Sequence, residues 1–433
     1  MIRFILGRSN IMLLMLLIPV LAGAAGADSD GYGSISDYLD GVYGADNNAG
    51  LTAFPVLNVP LGGRSEGMGS SFAAVSDDIS FIEYNPAGSS LLSRSEMAFF
   101  HNNWIADTKI EGAVFATRLG NLGLAGGAKW LYTPFTEYNM YGDRVSKGYY
   151  SEVVAILNGS YNFLSGYYFS GVSVGASIKG AFRFVPDYSS ADDLSNYQGE
   201  LVSGSGLAQS AAMAMADIGA LTRFDFGKFY YAREKNTSAA LVIRNLGPPS
   251  RDESLPTAII AALSYKPLRP LLFSFDFSIP INMTDIMLSE KPYWAAGAAV
   301  NITSFLSMRT GLLFKGGNIR LAFGSAVNLD KISVDVNYSL DLLTQMQPLN
   351  RVSLAIRFNL GDHGRQKLSG EVDSLYLSGL DAYSRGNVEE AQSYWEDALR
   401  LNPKFDPARE GLEMIRQAQA VQQRIDDMQR LDF

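Results

Sequence analysis

The sequence predicts an all-β transmembrane barrel of about 14 antiparallel strands, plugged by an irregular amino-terminal segment and followed by a small α-helical domain. Three observations carry this. The chain opens with an export signal, its body alternates apolar and polar residues with period two, and the connections between alternating segments are short and long in turn. Composition then narrows function. The 433 residues include no cysteine and two histidines, His101 and His363. Disulfide frameworks, thiolate nucleophiles, iron–sulfur clusters and nearly every zinc site are excluded. With 35 basic against 44 acidic residues, a net charge of -9 and a sequence pI near 4.9, the surface does not suit nucleic acid.

Residues 1–27 place Arg3 and Arg8 ahead of an apolar stretch from Ile11 to Leu21, then small-x-small steps at Ala22–Ala24 and Ala25–Ala27. That is the form of a cleaved signal peptide, since the stretch is about half of the roughly 20 residues a spanning helix needs. No later run reaches 18 apolar residues, so any membrane crossing falls to strands. Residues 28–94 form an acidic leader rich in Gly, Tyr and Asn, followed by a plug. In the plug, Arg64, a Gly67-x-Gly69 step, the small-residue stretch Phe72–Val75, the acidic pair Asp77 and Asp78, and Asn85-Pro86-Ala87-Gly88 come in that order. The glycines allow close backbone packing, the acids can cap or turn, and Asn-Pro is a turn before the first strand.

This run resembles the amino-terminal hatch of FadL-type long-chain fatty acid transporters, and more closely the spirochaetal FadL-like and PorV-like branch. The resemblance implies 14 strands, a hatch inside the lumen and a hydrophobic ligand that leaves sideways through a gap in the wall. It covers residues 53–92 strongly and the barrel only through strand number.

Strands are expected at 95–103, 110–118, 121–132, 150–163, 168–183, 207–225, 238–246, 257–265, 270–279, 292–301, 304–314, 318–328, 331–340 and 350–360. Leu271, Phe273, Phe275, Phe277 and Ile279 face one way and Ser274, Asp276 and Ser278 the other; Lys331–Leu340 and Arg351–Leu360 repeat the pattern. The polar faces carry Asp276, Arg309, Arg320, Asp335 and Arg357, which suit a wet or internally paired lumen. Short connections are expected at 119–121, 164–167, 266–269, 302–303 and 329–330. Long ones are expected at 133–149, 184–206, 247–256, 280–291 and 341–349. Two break the alternation: 227–237 is long on the short side and 315–317 short on the long side.

After a linker at 361–370 the period changes to 3.6, and residues 371–433 read as a helical domain. Gly379, Gly386, Ala391, Trp395, Ala398 and Pro403 occupy the small, turn, aromatic and helix-ending positions of a tetratricopeptide-like repeat. Asn387 with Glu390 suggests a helix cap, and Asp406-Pro407 opens a last helix. One repeat cannot bury its own faces, so it needs the barrel, a second copy or a peptide. Gly171-Val-Ser173-Val-Gly175 matches the serine hydrolase elbow, yet lies inside an alternating strand with no helix after it, and is read as wall. The glycine run 120–127 is read as wall too, and Phe358 is preferred to Phe433 as a terminal assembly signal.

The expected function is passive uptake of a hydrophobic small molecule across the outer membrane, fatty acids first, without catalysis, metal or cofactor. Membrane lipid surrounds the barrel, and a periplasmic carrier or peptide meets the tail. The alternative is a PorV-like adaptor that holds exported or periplasmic proteins.

Overall fold

In a computed structural model of the chain, residues 46–105, 107–138, 141–185, 210–249, 253–316, 318–341 and 350–431 are described. The expected signal peptide, most of the leader, most of the 184–206 loop, most of 341–349 and Phe433 lie outside them.

Fourteen strands form one closed barrel. They are β1 (Glu96–Asn103), β2 (Lys109–Leu119), β3 (Leu122–Tyr138), β4 (Arg144–Phe163), β5 (Val172–Phe184), β6 (Ala211–Phe224), β7 (Thr237–Leu246), β8 (Thr257–Leu268), β9 (Leu271–Ile281), β10 (Tyr293–Asn301), β11 (Leu306–Lys315), β12 (Asn318–Asn328), β13 (Ile332–Asp341) and β14 (Arg351–Asn359). Each pairs antiparallel with its neighbour in sequence, and β1 closes on β14 with Glu96 opposite Asn359. Closure leaves no edge.

The wall is chemically inverted relative to a soluble protein. On β9, Phe273, Phe275 and Phe277 are 45%, 46% and 39% exposed outward, while Ser274 and Asp276 are buried inside. On β13, Val336 and Tyr338 face out and Asp335, Asn337 and Ser339 face in. Trp294 stacks between Phe275 and Phe314 on the outer face. Aromatic pairs mark both ends, Tyr161 with Phe163 at one and Trp130 with Tyr132 at the other. An outer face this apolar is stable in lipid, with the polar groups paired inside.

The chain differs from the sequence expectation in four places. Residues 133–149 are mostly strand, because Thr133, Phe135 and Thr136 on β3 keep pairing with Tyr150, Gly148 and Lys147 on β4. β5 starts at Val172, four residues later than expected. The closed ladder shifts register between β3 and β4, β6 and β7, and β8 and β9, and at the second of these the Asp217 carboxylate accepts from Asn245 N at 2.7 Å. The helix α2 (Arg365–Ser384) starts inside the expected linker. Asp362 sets that start by accepting from Gln366 N at 2.7 Å and Gly364 N at 3.1 Å. Asn387 makes no backbone cap bond and instead donates to Glu390 at 3.2 Å.

α2, α3 (Val388–Leu401) and α4 (Asp406–Leu431) pack around the fully buried Trp395, with Ala391, Ala398, Phe405 and Ala408. Gly379 leaves room for the indole, which donates to Tyr376 O at 3.3 Å. Gly386 takes φ 84° in the turn before α3, a conformation glycine adopts without strain. Pro403 follows α3 in the step to α4. The helices sit on the short-turn end of the barrel. Tyr167 packs edge-on to Phe405, the Arg233 guanidinium lies 4.3 Å over the Tyr167 ring and 3.3 Å from Asp373, and Tyr168 donates to Glu410 at 3.0 Å. The overlong β6–β7 connection is the one that carries Arg233.

Candidate functional site: an ion-paired plug between two chambers

Residues 52–92 run round the inside of the wall. α1 (Arg64–Gly67) lies against β11, β12 and β13, where Asn337 Nδ2 donates to Gly63 O at 2.9 Å. Phe72 N and Ala73 N both donate to the Asp276 carboxylate on β9, at 3.0 and 2.9 Å. Asn85 accepts from Ala87 N and donates to Ala73 O, folding the turn on itself. Pro86, Ala87, Ser89 and Ser90 then reach β3–β6; Ser173 donates to Ala87 O at 2.7 Å, and Ser160 lies 2.7 Å from Ser89.

The wall is built to admit this backbone. Gly123, Gly175, Gly219, Gly297 and Gly311 present no β-carbon where the segment passes, and one added at any of them would collide with Ser89, Pro86, Asn85 or Met68. The closest approach pairs Gly311 with Gly69, whose φ of 64° is itself a glycine conformation.

Many of the charges inside the lumen are paired. Arg64 holds Asp77 at 2.5 Å and Asp78 at 3.7 Å; Arg357 bridges Asp78 and Asp335, both at 3.1 Å; Arg309 completes the chain on Asp335 at 2.5 Å. Glu66 meets Arg351 at 3.1 Å and Glu83 meets Lys129 at 2.6 Å. Burial alone would raise the Asp77 carboxyl, but Arg64 together with Lys266, Arg223 and Arg357 outweighs it and holds it below the ordinary carboxylate range. Burial likewise opposes charge on Arg64, and Asp77 with Asp78 overcome that and raise it.

Two chambers flank the segment. The outer one, about 290 Å³, opens toward the long connections and is lined by the apolar Pro55, Leu57, Ile260 and Leu313, by the cations Arg244, Arg320, Arg351 and Lys315, and by Glu83 and Asp276. Arg351 and Lys315 have carboxylate partners; Arg244 donates to Glu83 O, and the Nε atoms of Arg244 and Arg320 are buried with no partner among the described residues. The inner chamber, about 390 Å³, lies toward the helical domain and is lined by Arg118, Arg223, Arg233, Lys235 and Lys266 against Asp77 and Glu234.

Of the residues singled out from sequence, Arg64, Asp77, Asp78, Asp335, Arg357 and Arg309 come together in one network. Gly67, Gly69, Asn85, Pro86, Ala87 and Asp276 are backbone seats, and Arg320 stands apart in the outer chamber. Sequence reasoning missed Arg223, Arg244 and Lys266. Counting by twos from the buried Leu221 and Val242 puts Arg223 and Arg244 inward, so alternation carried the signal for both. His101 pairs with Glu111 at 2.8 Å, and Met213 and Met215 are buried wall residues.

Comparison with known proteins places the chain among relatives. A UPF0164 protein of Treponema pallidum (strain Nichols) is 29% identical over 421 residues, covering 92% of this chain and 91% of its own. A second from the same organism is 27% identical, covering 86% and 77%. Among solved structures, the CymD monoaromatic hydrocarbon channel aligns over 72% of this chain and all of its own at TM-score 0.48 and 12% identity. The Pseudomonas putida toluene transporter TodX aligns over 70% and 99% at 0.44 and 12%. The model of the family described as "Uncharacterised protein family (UPF0164)" matches residues 40–363, and the chain belongs to that family.

Proposed function

We propose that the protein sits in the outer membrane and passes a hydrophobic small molecule inward, long-chain fatty acids being the first candidate, with residues 53–92 acting as a hatch and the helical domain on the periplasmic side. The outer chamber carries this reading. It offers apolar lining for a chain and two guanidiniums, Arg244 and Arg320, with no carboxylate bound to them among the described residues. A fatty acid needs both: burial drives the alkyl part, at about 0.8 kcal/mol per methylene, and a charge-assisted hydrogen bond holds the head. The hatch motif's resemblance to FadL-type transporters supports the same reading. The test is uptake of radiolabelled oleate by a host lacking its own carrier. Losing a charged hydrogen bond costs about 1.5–3 kcal/mol, so R244Q/R320Q should reduce uptake by about tenfold or more at limiting ligand. Uptake equal to that of the empty host in the unaltered protein defeats the reading.

A second reading has one observation in its favour. At the long-connection end Tyr141, Ile286 and Met287 are exposed apolar side chains outside the strands, a surface a PorV-like adaptor would use. Retained binding of a protein client with no fatty acid uptake would favour it.

A further inference from the structure

We infer that the inner chamber is a second binding site, one that receives the carboxylate head of the ligand after it has passed the hatch, with Arg223 and Lys266 as its ligating residues. The inference begins with charge. Arg223 on β6 and Lys266 on β8 face into the chamber, and among the described residues neither side chain makes a hydrogen bond or ion pair. The carboxylate nearest them in the hatch, Asp77, is held by Arg64 at 2.5 Å. Arg118 adds a third cation, its guanidinium donating only to the carbonyls of Gly120 and Leu92. Lys235 is paired with Asp225 and Arg233 with Asp373, while Glu234 is exposed at the rim. Positive charge therefore exceeds negative inside a chamber of about 390 Å³.

Such an excess is costly to bury without an anion, and a cleft lined by one sign concentrates the opposite sign. The chamber also has apolar surface, Val75 and Leu91 from the hatch side and Leu272 from β9, so an alkyl chain with an anionic head fits it better than a bare oxyanion. Its rim includes Tyr167 and Arg233, which hold the helical domain, so a head bound here lies beside the surface where a carrier would collect it. The assignment rests on the uptake reading for the source of the carboxylate.

The absence of cysteine makes the site directly testable in the full-length protein in maltoside micelles. Ser170 lines the chamber, and S170C supplies a unique thiol there. The anionic sulfonatoethyl methanethiosulfonate should modify it about tenfold faster than the cationic trimethylammonium analogue. Octanoate should slow the reaction, and octanol should not. In R223Q/K266Q both the charge preference and the octanoate protection should vanish, while R223K should retain them, which separates lost charge from lost folding. Equal rates with the two reagents would overturn the site. Protection by octanol as strong as by octanoate would overturn the carboxylate role, and equal protection by inorganic phosphate would assign the chamber to a soluble oxyanion instead. Octanoate protection in a protein that takes up no oleate would leave this site standing and defeat the uptake reading alone.

Discussion

At the scale of single residues, the hatch is held by close approach and by charge, and the two fail differently. Gly311 meets Gly69 backbone to backbone, so a larger side chain there has no flexible neighbour to push aside. G311V should lift α1 from the wall at an overpacking cost of about 1–3 kcal/mol. Protease nicking within residues 60–75 of an otherwise heat-resistant barrel is the measurement, and unchanged resistance would count against the seat. The Arg64–Asp77 pair responds instead to pH. A carboxyl held below its ordinary value contributes stability that is complete above the unfolded value, about 4, and is lost as pH falls through the lower folded value. Protection of residues 60–80 should thus show an acid step below about pH 4 that is smaller in D77N. An acid step of equal size in D77N would contradict the assignment. Much of this was legible: Arg64, Asp77, Asp78, Asn85 and the Gly67–Gly69 step stand together in sequence. The wall glycines that receive them were not, because each is a lone glycine in an alternating strand, and which inward position the hatch touches is decided only on closure. Ser173 shows the same limit. Its motif suggested an elbow, and its hydroxyl serves as a seat for Ala87 and Ser90.

At the scale of elements, period two located all 14 strands and misjudged the facing ends of β3 and β4 and the start of β5. Residues 133–136 alternate weakly and include Pro134, so they resemble a loop until cross-strand pairing with 147–150 is seen. The helical tail's three helices were legible from spacing, while its resting place was not, since the contacts include Tyr167, Tyr168 and Arg233 in two turns that look ordinary. Arg233 reaches two rings and one carboxylate, so R233A should loosen the tail by about 1–2 kcal/mol, most of it from the aromatic contacts. The expected result is faster proteolysis near residues 361–364, with the barrel unaffected. Cleavage at the unaltered rate would show that Tyr167 and Phe405 suffice.

At the scale of the molecule, topology makes one prediction that needs no ligand. The chain enters β1 at Glu96 and leaves β14 at Asn359, and these two residues are paired neighbours at the same end. An even number of crossings forces that result. The short turns after β2, β8, β10 and β12 lie at this end, as does the helical domain, which touches the turns after β4 and β6. In outer-membrane barrels the short turns are periplasmic, so the proposed orientation threads residues 53–92 from the periplasm and keeps the tail there, next to the inner chamber that would release a ligand. The opposite end, with exposed Tyr141, Ile286 and Met287, would then face outward. On intact cells, protease should cut a site inserted at 283–287 and leave one inserted after Arg424 untouched until the outer membrane is permeabilised. Cleavage after Arg424 on intact cells, with the 283–287 site protected, would invert the barrel. The chamber assigned to ligand release would then be the first that an external ligand meets, and any handover from the tail to a periplasmic carrier would be impossible.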